Sequence, residues 1–438
     1  MVCKLYRKFI EPFVTWVFLL FGIRLKKWQL APLQRQSPSS TPNQKLVTFK
    51  NGKRVILCCD GGGVRGIVTL HCLKALEERL DSRCIDIFDM FAGSSTGAII
   101  AGSLAYGISV DDLIKLYQEK HPVMFTKTLL GWTKLIIPKY RSEPPKYILK
   151  SIFQDDTLKE SVKDLFITAK DTVRSETIYF TAFHEPGTQK VHGTYKDVKF
   201  REAIAASAIS APTYFDPVGR FIDGGVGSFN NVSYVAPVEA MRYSTDPVVD
   251  YWVNDHGVPD PKGKWPVFKN LPENQFYKPG EMMVLSFGTG RQINNMEPGE
   301  ASRIKTSFGW INWLIGDGFD DASKQQTYIS GEELAARENG IRFRRYQIHF
   351  TDEAIAELQN IDSSLPLGVD YSNLDLDAIE YFDYLDKVGA AFGKWLKQND
   401  RFNLESVELG DPLVVRQPEF NITVYAQEVK KELKKANL

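Results

Sequence analysis

The sequence predicts an α/β protein built on a central, mostly parallel sheet, and two stretches near its start carry that prediction. Residues 55–59 (VILCC) form a short unbroken apolar run, followed by the turn DGGGVRG and then by Ile67, Leu70, Leu73, Leu76 and Leu80 at helical spacing. Residues 85–92 (IDIFDMFA) form a second strand-like run that closes in GSSTG and continues into a helix of small apolar residues, 98–107. Unbroken hydrophobicity suits a strand covered by helices on both faces, so both runs are placed centrally in the sheet; Asp86 and Asp89 make the second the less regular of the two. The chain has 438 residues, 43% hydrophobic, 25% charged and 12% aromatic, which is the make-up of a folded globular protein and argues against disorder, collagen or a long coiled coil.

Further elements follow in order. Ser109 can cap a helix over 110–120, with Asp111 and Asp112 in its first turn. The stretch 124–170 holds Trp132, the run LIIP, a Pro144-Pro145 turn and a helix-like segment, 146–154, and is expected to form part of a lid. Residues 177–183 read as a strand, 200–210 as a helix of small residues stopped by Pro212, and 282–287 (MMVLSF) as a core strand ending in GTG. The region 291–350 is mixed, with Phe308, Trp310, Trp313 and Phe319 serving either core packing or a lipid-facing surface; a helical pattern runs over 376–396. No internal repeat is visible.

The expected domain division is an apolar and basic N-terminal segment over 1–30, a Ser/Pro/Gln-rich linker over 31–45, a catalytic domain over 46–400 and a charged C-terminal extension over 401–438. The apolar run 13–23 rises only about 16 Å as a helix, too short for a bilayer. Six Lys and Arg against one Glu over 1–27, with Trp16 inside the run, describe a segment lying in an anionic membrane surface, so peripheral membrane contact through 9–27 is expected. A targeting or anchor segment and a helix packed on the protein itself stand as alternatives.

Charge and cysteine usage exclude several classes. Lys+Arg and Asp+Glu both total 54, so no whole-surface field attracts nucleic acid, and no nucleic-acid partner is expected. The five cysteines, all within the first 84 residues, make a poor disulfide framework, and the adjacent Cys58 and Cys59 read as buried small residues. An intracellular, membrane-associated location is expected, with secretion left open. The six histidines are scattered without metal-ligand spacing, so neither a metal nor another cofactor is expected.

Two glycine-rich turns and one aspartate carry the chemistry. Gly93-Ser94-Ser95-Thr96-Gly97 fits G-x-S-x-G between a strand and a helix, where Gly93 and Gly97 remove colliding side chains and the helix N-terminus favours developing negative charge; Ser95 is the expected nucleophile. Asp60-Gly61-Gly62-Gly63-Val64-Arg65-Gly66 exposes a row of backbone amides able to hold a phosphate or an oxyanion. It lacks both G-x-G-x-x-G and a Lys-Ser/Thr ending, so an oxyanion hole is preferred, with Gly62 and Gly63 as main donors, Gly61 nearby, and Arg65 orienting the loop or meeting a lipid phosphate. No histidine sits in a convincing turn for a third triad member. Asp223, after an apolar pair and before Gly224-Gly225, is an acid able to serve Ser95 directly.

With these motifs in this order, the chain resembles the patatin-like phospholipases: DGGGVRG resembles their glycine loop, GSSTG their nucleophile elbow, and DGG at 223–225 their acid motif. The segment SAISAPTYFDPV, 207–218, resembles the stretch before their catalytic Asp, and SFGTG, 286–290, a later strand end. The resemblance is good over 47–290 and looser to about 396. It implies a three-layer α/β/α fold and a lipid acyl hydrolase acting on glycerolipid esters through a Ser95-Asp223 dyad, with supporting positions at Asp60, Arg65, Gly66, Gly93, Gly97, Gly224 and Gly225, and without calcium. Ser94 where many relatives carry Thr, and SFNNVSYVAP where they often end a turn in Asn-Pro, are departures that leave the dyad in place. Competing functions are a phosphate or nucleotide binder using the glycine loop, and a lipid-binding or regulatory module that does not need Ser95. Head group, ester position, an activator protein and oligomeric state stay open.

Overall fold

In the computed structural model the description covers residues 33–128, 138–185, 190–193, 195–226, 229–243, 251–254, 258–263, 265–267, 276–292, 322–335 and 340–403, with isolated positions 256, 303–304, 427, 429–431 and 434. The expectations for 1–30, for Trp132, for the aromatic stretch 308–319 and for most of 401–438 therefore lie outside the described residues.

Helix α1 (Gln44–Lys50) starts on Asn43, whose side chain accepts from the Leu46 amide. Strand β1 (Arg54–Cys59) follows, then α2 (Gly66–Leu80), the single helical turn α3 (Cys84–Ile87), β2 (Met90–Gly93), α4 (Thr96–Tyr106), α5 (Val110–Met124) and α6 (Glu143–Phe153). Strands β3 (Asp164–Asp171), β4 (Glu176–His184) and β5 (Val191–His192) come next. They lead to α7 (Phe200–Ala208), β6 (Phe221–Asp223) and α8 (Val235–Tyr243). A separate ribbon, β7 (Tyr251–Val253) with β8 (Trp265–Val267), precedes β9 (Met282–Phe287), β10 (Arg342–Tyr346), α9 (Asp352–Leu358) and α10 (Phe382–Gln398).

The main sheet runs β10-β9-β1-β2-β3-β4-β5, with β6 paired to the far end of β3. Strands β10, β9, β1, β2 and β3 are mutually parallel, while β4 and β6 run antiparallel to β3. The expectation of a central, mostly parallel sheet is borne out. Alternation along β1 explains the layering: Val55, Leu57 and Cys59 face a large core with α2, α4, α5, α7 and α10, whereas Ile56 and Cys58 face a smaller one with Ala236 and Ala240 of α8. Burial pushes both the Cys58 and Cys59 thiols above their ordinary range, as suits inert core residues. Helix α10 lies on α2 through glycines: a Cβ at Gly393 would stand 2.6 Å from the His71 carbonyl oxygen.

Several expectations are corrected. The second early strand is only Met90–Gly93, because its first half turns helical and Asp89 accepts the Val55 amide while pairing with Lys50 and Arg54 at the start of β1. The expected lid over 124–170 ends in Asp164–Asp171, a buried central strand. The helix predicted over 376–396 starts at Phe382: the Leu376 carbonyl instead accepts the Val64 amide, and a short 3-10 turn, Ile379–Tyr381, leads into the helix. Residues 33–43 of the expected linker have no helix or strand but are tied down. Arg35 donates to the Tyr106 and Glu160 carbonyls, the Gln36 amide donates to Gly107, and Asn43 donates to the carbonyls that end α2.

Candidate active site

The C-terminal ends of β1 and β2 and the short strand β6 converge at one edge of the sheet, where α/β folds gather ligands. The chain leaves β2 through Gly93 and enters α4 at Thr96, with Ser95 between them at φ 53° and ψ −127°. A non-glycine residue held in that conformation is strained, and local packing holds it. A Cβ at Gly93 would stand 2.1 Å from the Gly97 carbonyl oxygen, and one at Gly97 would stand 2.1 Å from that of Cys59, so only glycine lets strand, turn and helix approach this closely. The Ser95 amide donates to Ser207 Oγ at 2.9 Å, and the Ser95 carbonyl accepts from the Ala98 amide at 2.9 Å.

Ser95 Oγ donates to Asp223 Oδ2 at 2.6 Å, and Asp223 Oδ1 accepts the Gly225 amide at 2.8 Å. Asp223 closes β6 opposite Ala169 of β3, and Gly224 next to it packs on Thr168, whose Oγ1 would lie 2.2 Å from an added Cβ. The Asp223 carboxyl is buried. Burial pushes its pKa up from 3.8 to about 6, against the opposing hydrogen bonds from Ser95 and Gly225.

The glycine loop faces the same space. Gly61 donates its amide to the Asn230 carbonyl at 3.2 Å, and its own carbonyl accepts from Thr289 Oγ1 at 3.2 Å. That use of its amide sets Gly61 apart from the other two expected donors. Its smallness matters instead, since an added Cβ would lie 2.8 Å from Ser95 Cβ. The amides of Gly62 and Gly63 make no hydrogen bond among the described residues, and both residues line the cavity beside Ser95. Asp60, before the loop, accepts both terminal nitrogens of Arg345, with Nη1 to Oδ1 at 2.9 Å, and Arg345 Nη1 also donates to Ser286 Oγ at 2.6 Å. Arg65 donates to the Leu374 carbonyl at 3.3 Å, and Gly66 opens α2 against Thr96.

Sequence reasoning did not single out Ser207, Asn230, Thr289 or Arg345. The first three sit inside segments read for other reasons, 207–218, the stretch after Gly225, and 286–290. Arg345 has no local signal: it is one charged residue in the strand RFRRY, on the far side of β9 from the loop it steadies.

A cavity of about 360 Å³ opens beside the serine. Its walls are mostly apolar: Ile99 of α4, Met124 of α5, Leu149 of α6, and Ile209, Tyr214 and Phe215 after α7. Polar groups gather at the glycine-loop side, with Arg65, Asn230, Gln292 and Asp375. Among the described residues there is no group of three or more His, Cys, Asp or Glu able to hold a metal, and no helix long and apolar enough to cross a membrane.

The chain is 28% identical over 242 residues to the 85/88 kDa calcium-independent phospholipase A2 of Mus musculus, covering 51% of this chain and 29% of that protein's length. It is 25% identical over 400 residues to patatin-like protein 2 of Oryza sativa subsp. indica, covering 79% and 90%. With the cGAMP-activated phospholipase of Escherichia coli (strain TW11681) it shares 30% identity over 204 residues, 43% of this chain and 56% of that one. The family model for patatin-like phospholipase matches residues 57–236, which hold the glycine loop, Ser95 and Asp223, so that this part of the chain, within its three-layer fold, belongs to the patatin-like phospholipase family.

Proposed function

We propose that the protein is a lipid acyl hydrolase, of phospholipase A or lysophospholipase type, that cleaves carboxylic esters of glycerolipids through Ser95 and Asp223. The observation that carries the reading is the 2.6 Å hydrogen bond from Ser95 Oγ to a buried carboxylate at the mouth of an apolar cavity. Ser95 Oγ attacks the ester carbonyl while its proton passes to Asp223 Oδ2. The carbonyl oxygen, now an oxyanion, takes hydrogen bonds from the Gly62 and Gly63 amides, which no protein group uses among the described residues. The tetrahedral intermediate collapses as Asp223 returns the proton to the leaving alcohol, and an acyl-Ser95 ester remains. Water then attacks that ester with Asp223 as base, releasing the fatty acid and restoring the serine. A carboxyl pushed up to about 6 is a better proton acceptor near neutral pH than an ordinary aspartate. The apolar walls suit an acyl chain, and the curated relatives named as phospholipases support a lipid substrate.

Peripheral membrane contact through residues 9–27 and an intracellular location belong to the same proposal. They rest on the basic and apolar pattern of that segment.

The test is product analysis by mass spectrometry with wild type and Ser95→Ala on phospholipid, lysophospholipid and galactolipid panels. Wild type should release fatty acid, and the variant should lose at least about 10⁴-fold in rate, as removal of a serine nucleophile does elsewhere. Equal release by both proteins would sink the dyad. Removing residues 1–40 should free the protein from anionic liposomes while leaving a dispersed short-chain ester cleaved; unchanged partition would defeat the membrane assignment.

A further inference from the structure

The glycine loop is covered by a segment more than 300 residues further along the chain. Val64 donates its amide to the Leu376 carbonyl at 2.9 Å, and that oxygen lies where a Cβ on Gly63 would be, 1.8 Å away. Gly63 holds φ +57° beneath it, so contact and conformation both require glycine there. The position of Leu376 therefore bears directly on the direction of the Gly63 amide.

The next residue, Asp377, is fixed from the opposite side. Its carboxylate is buried, with the side chain 5% exposed, and its Oδ2 accepts from Lys139 Nζ and from the Tyr140 hydroxyl, the latter at 2.6 Å. Tyr140 is also buried, and its ring backs the cavity wall. It meets Phe125 edge-on at 5.2 Å, Phe215 at 5.8 Å and Tyr214 in a stacked pair at 6.5 Å, and all three rings line the cavity. The main chain joins the same wall, with the Lys139 amide donating to Thr213 and the Tyr140 amide to Tyr214.

From these contacts we infer that the Tyr140–Asp377 hydrogen bond links the cavity wall to the oxyanion loop, making Tyr140 and Asp377 positioning residues that favour hydrolysis of long acyl chains. The inference rests on the proposed acyl hydrolase reading. A chain long enough to fill the cavity presses on Phe125, Tyr214 and Phe215. Tyr140 transmits that packing to Asp377, and the adjoining Leu376 carbonyl holds Val64 and Gly63 so that the loop amides meet the oxyanion. A short acyl group does not reach the wall and gains nothing from the link. The effect therefore belongs in kcat and not in KM, because the oxyanion exists only after attack.

The experiment uses the full chain with 4-nitrophenyl butyrate and palmitate presented in the same detergent micelles. Tyr140→Phe keeps the ring and removes only the hydroxyl. It should lower kcat for palmitate about tenfold, a fraction of the loss that follows removal of a whole oxyanion donor, with KM and the kcat for butyrate within about twofold of wild type. Asp377→Asn should act in the same direction, and the combined variant should be no worse than the poorer single one, since both act through one bond. Unchanged labelling by a short-chain alkyl fluorophosphonate and an unchanged thermal midpoint for Tyr140→Phe would show that the site is intact. An equal loss on both esters, a rise in KM alone, or no loss at all would overturn the link. Ser95→Ala run beside them separates the two readings: a fully active Ser95→Ala overturns the dyad itself, whereas an inactive one leaves the Tyr140 result to judge the link alone.

Discussion

At the Gly93–Gly97 turn that carries Ser95, backbone rests on backbone. Gly93 lies against the Gly97 carbonyl and Gly97 against that of Cys59, all within forty residues of one another. Across the cavity, the glycine loop is held by distant groups: the Asn230 carbonyl, the Thr289 hydroxyl, the Arg345 guanidinium by way of Asp60, and the Leu376 carbonyl. A site can therefore be half local and half assembled. An added methyl in the local half meets main chain, whereas at Gly62 in the assembled half it meets the Thr289 side chain.

Alanine at the two kinds of glycine breaks or sharpens that contrast with the largest expected effects. Gly97→Ala should abolish soluble, active protein, because the added methyl meets main-chain atoms of Cys59 and Asp60 that no second substitution can trim. Gly62→Ala places its methyl 2.0 Å from Thr289 Oγ1, a side chain. It should lower kcat about 100-fold by displacing a proposed oxyanion donor, and Thr289→Gly in the same chain should recover at least about tenfold. Rescue is read from kcat of the single and double variants. A double variant as poor as Gly62→Ala would show that relieving the Thr289 contact is not enough and that the loop tolerates substitution no better than the Gly93–Gly97 turn.

Next in size is the ion pair behind the loop. Arg345→Met leaves the Asp60 carboxylate buried without its fork and should cost about 3–5 kcal/mol of stability, read from denaturant midpoints, with loss of turnover. Adding Asp60→Asn removes the charge that Arg345 balances and should restore part of the stability. If the double variant is no more stable than Arg345→Met, the pair is not what supports this side of the site.

The same difference in range decides what could be read from the sequence. The α/β class and the parallel order of β1 and β2 follow from local hydrophobic runs, as does the family from three short motifs, and the structure has Ser95 and Asp223 within one hydrogen bond of each other. Each of those signals sits within a few residues. Strand β3 was hidden because DLFITAKD mixes charge into an apolar run, yet Leu165–Ala169 are buried and the carboxylates at its two ends are satisfied: Asp164 takes the Tyr277 hydroxyl, and Asp171 takes the Val173 amide and Arg220. Arg345 and the Leu376–Asp377 pair had no local signature, and SFGTG did not show what Thr289 touches, since these contacts depend on a fold that brings Arg345 to Asp60, Thr289 to Gly61, Leu376 to Val64 and Asp377 to Tyr140 from more than 220 positions away. The 33–43 segment misled for the opposite reason. Its polar composition marks a linker, and its polar groups are what fasten it to the carbonyls at the helix ends.

Asp223 gives the last test, in which activity and stability move in opposite directions across one pH window. Folded, its pKa is about 6 against 3.8 for the ordinary group, so the folded state holds the proton more tightly than the unfolded one. Stability from this group is fully present below about 3.8 and is lost as pH rises through about 6, a cost of about 3 kcal/mol that stays constant above. Asn at 223 does not titrate and can still accept the Gly225 amide. Relative to wild type, Asp223→Asn should therefore match in stability near pH 4 and grow more stable up to about pH 6.5, where the gain levels off. Over the same range wild-type kcat/KM should climb as the proposed base ionises, with an apparent pKa near 6, while the variant stays inactive throughout. A wild-type activity profile already flat at pH 5, together with no divergence in stability, would mean that the carboxyl keeps an ordinary pKa and that burial does not tune it for its role.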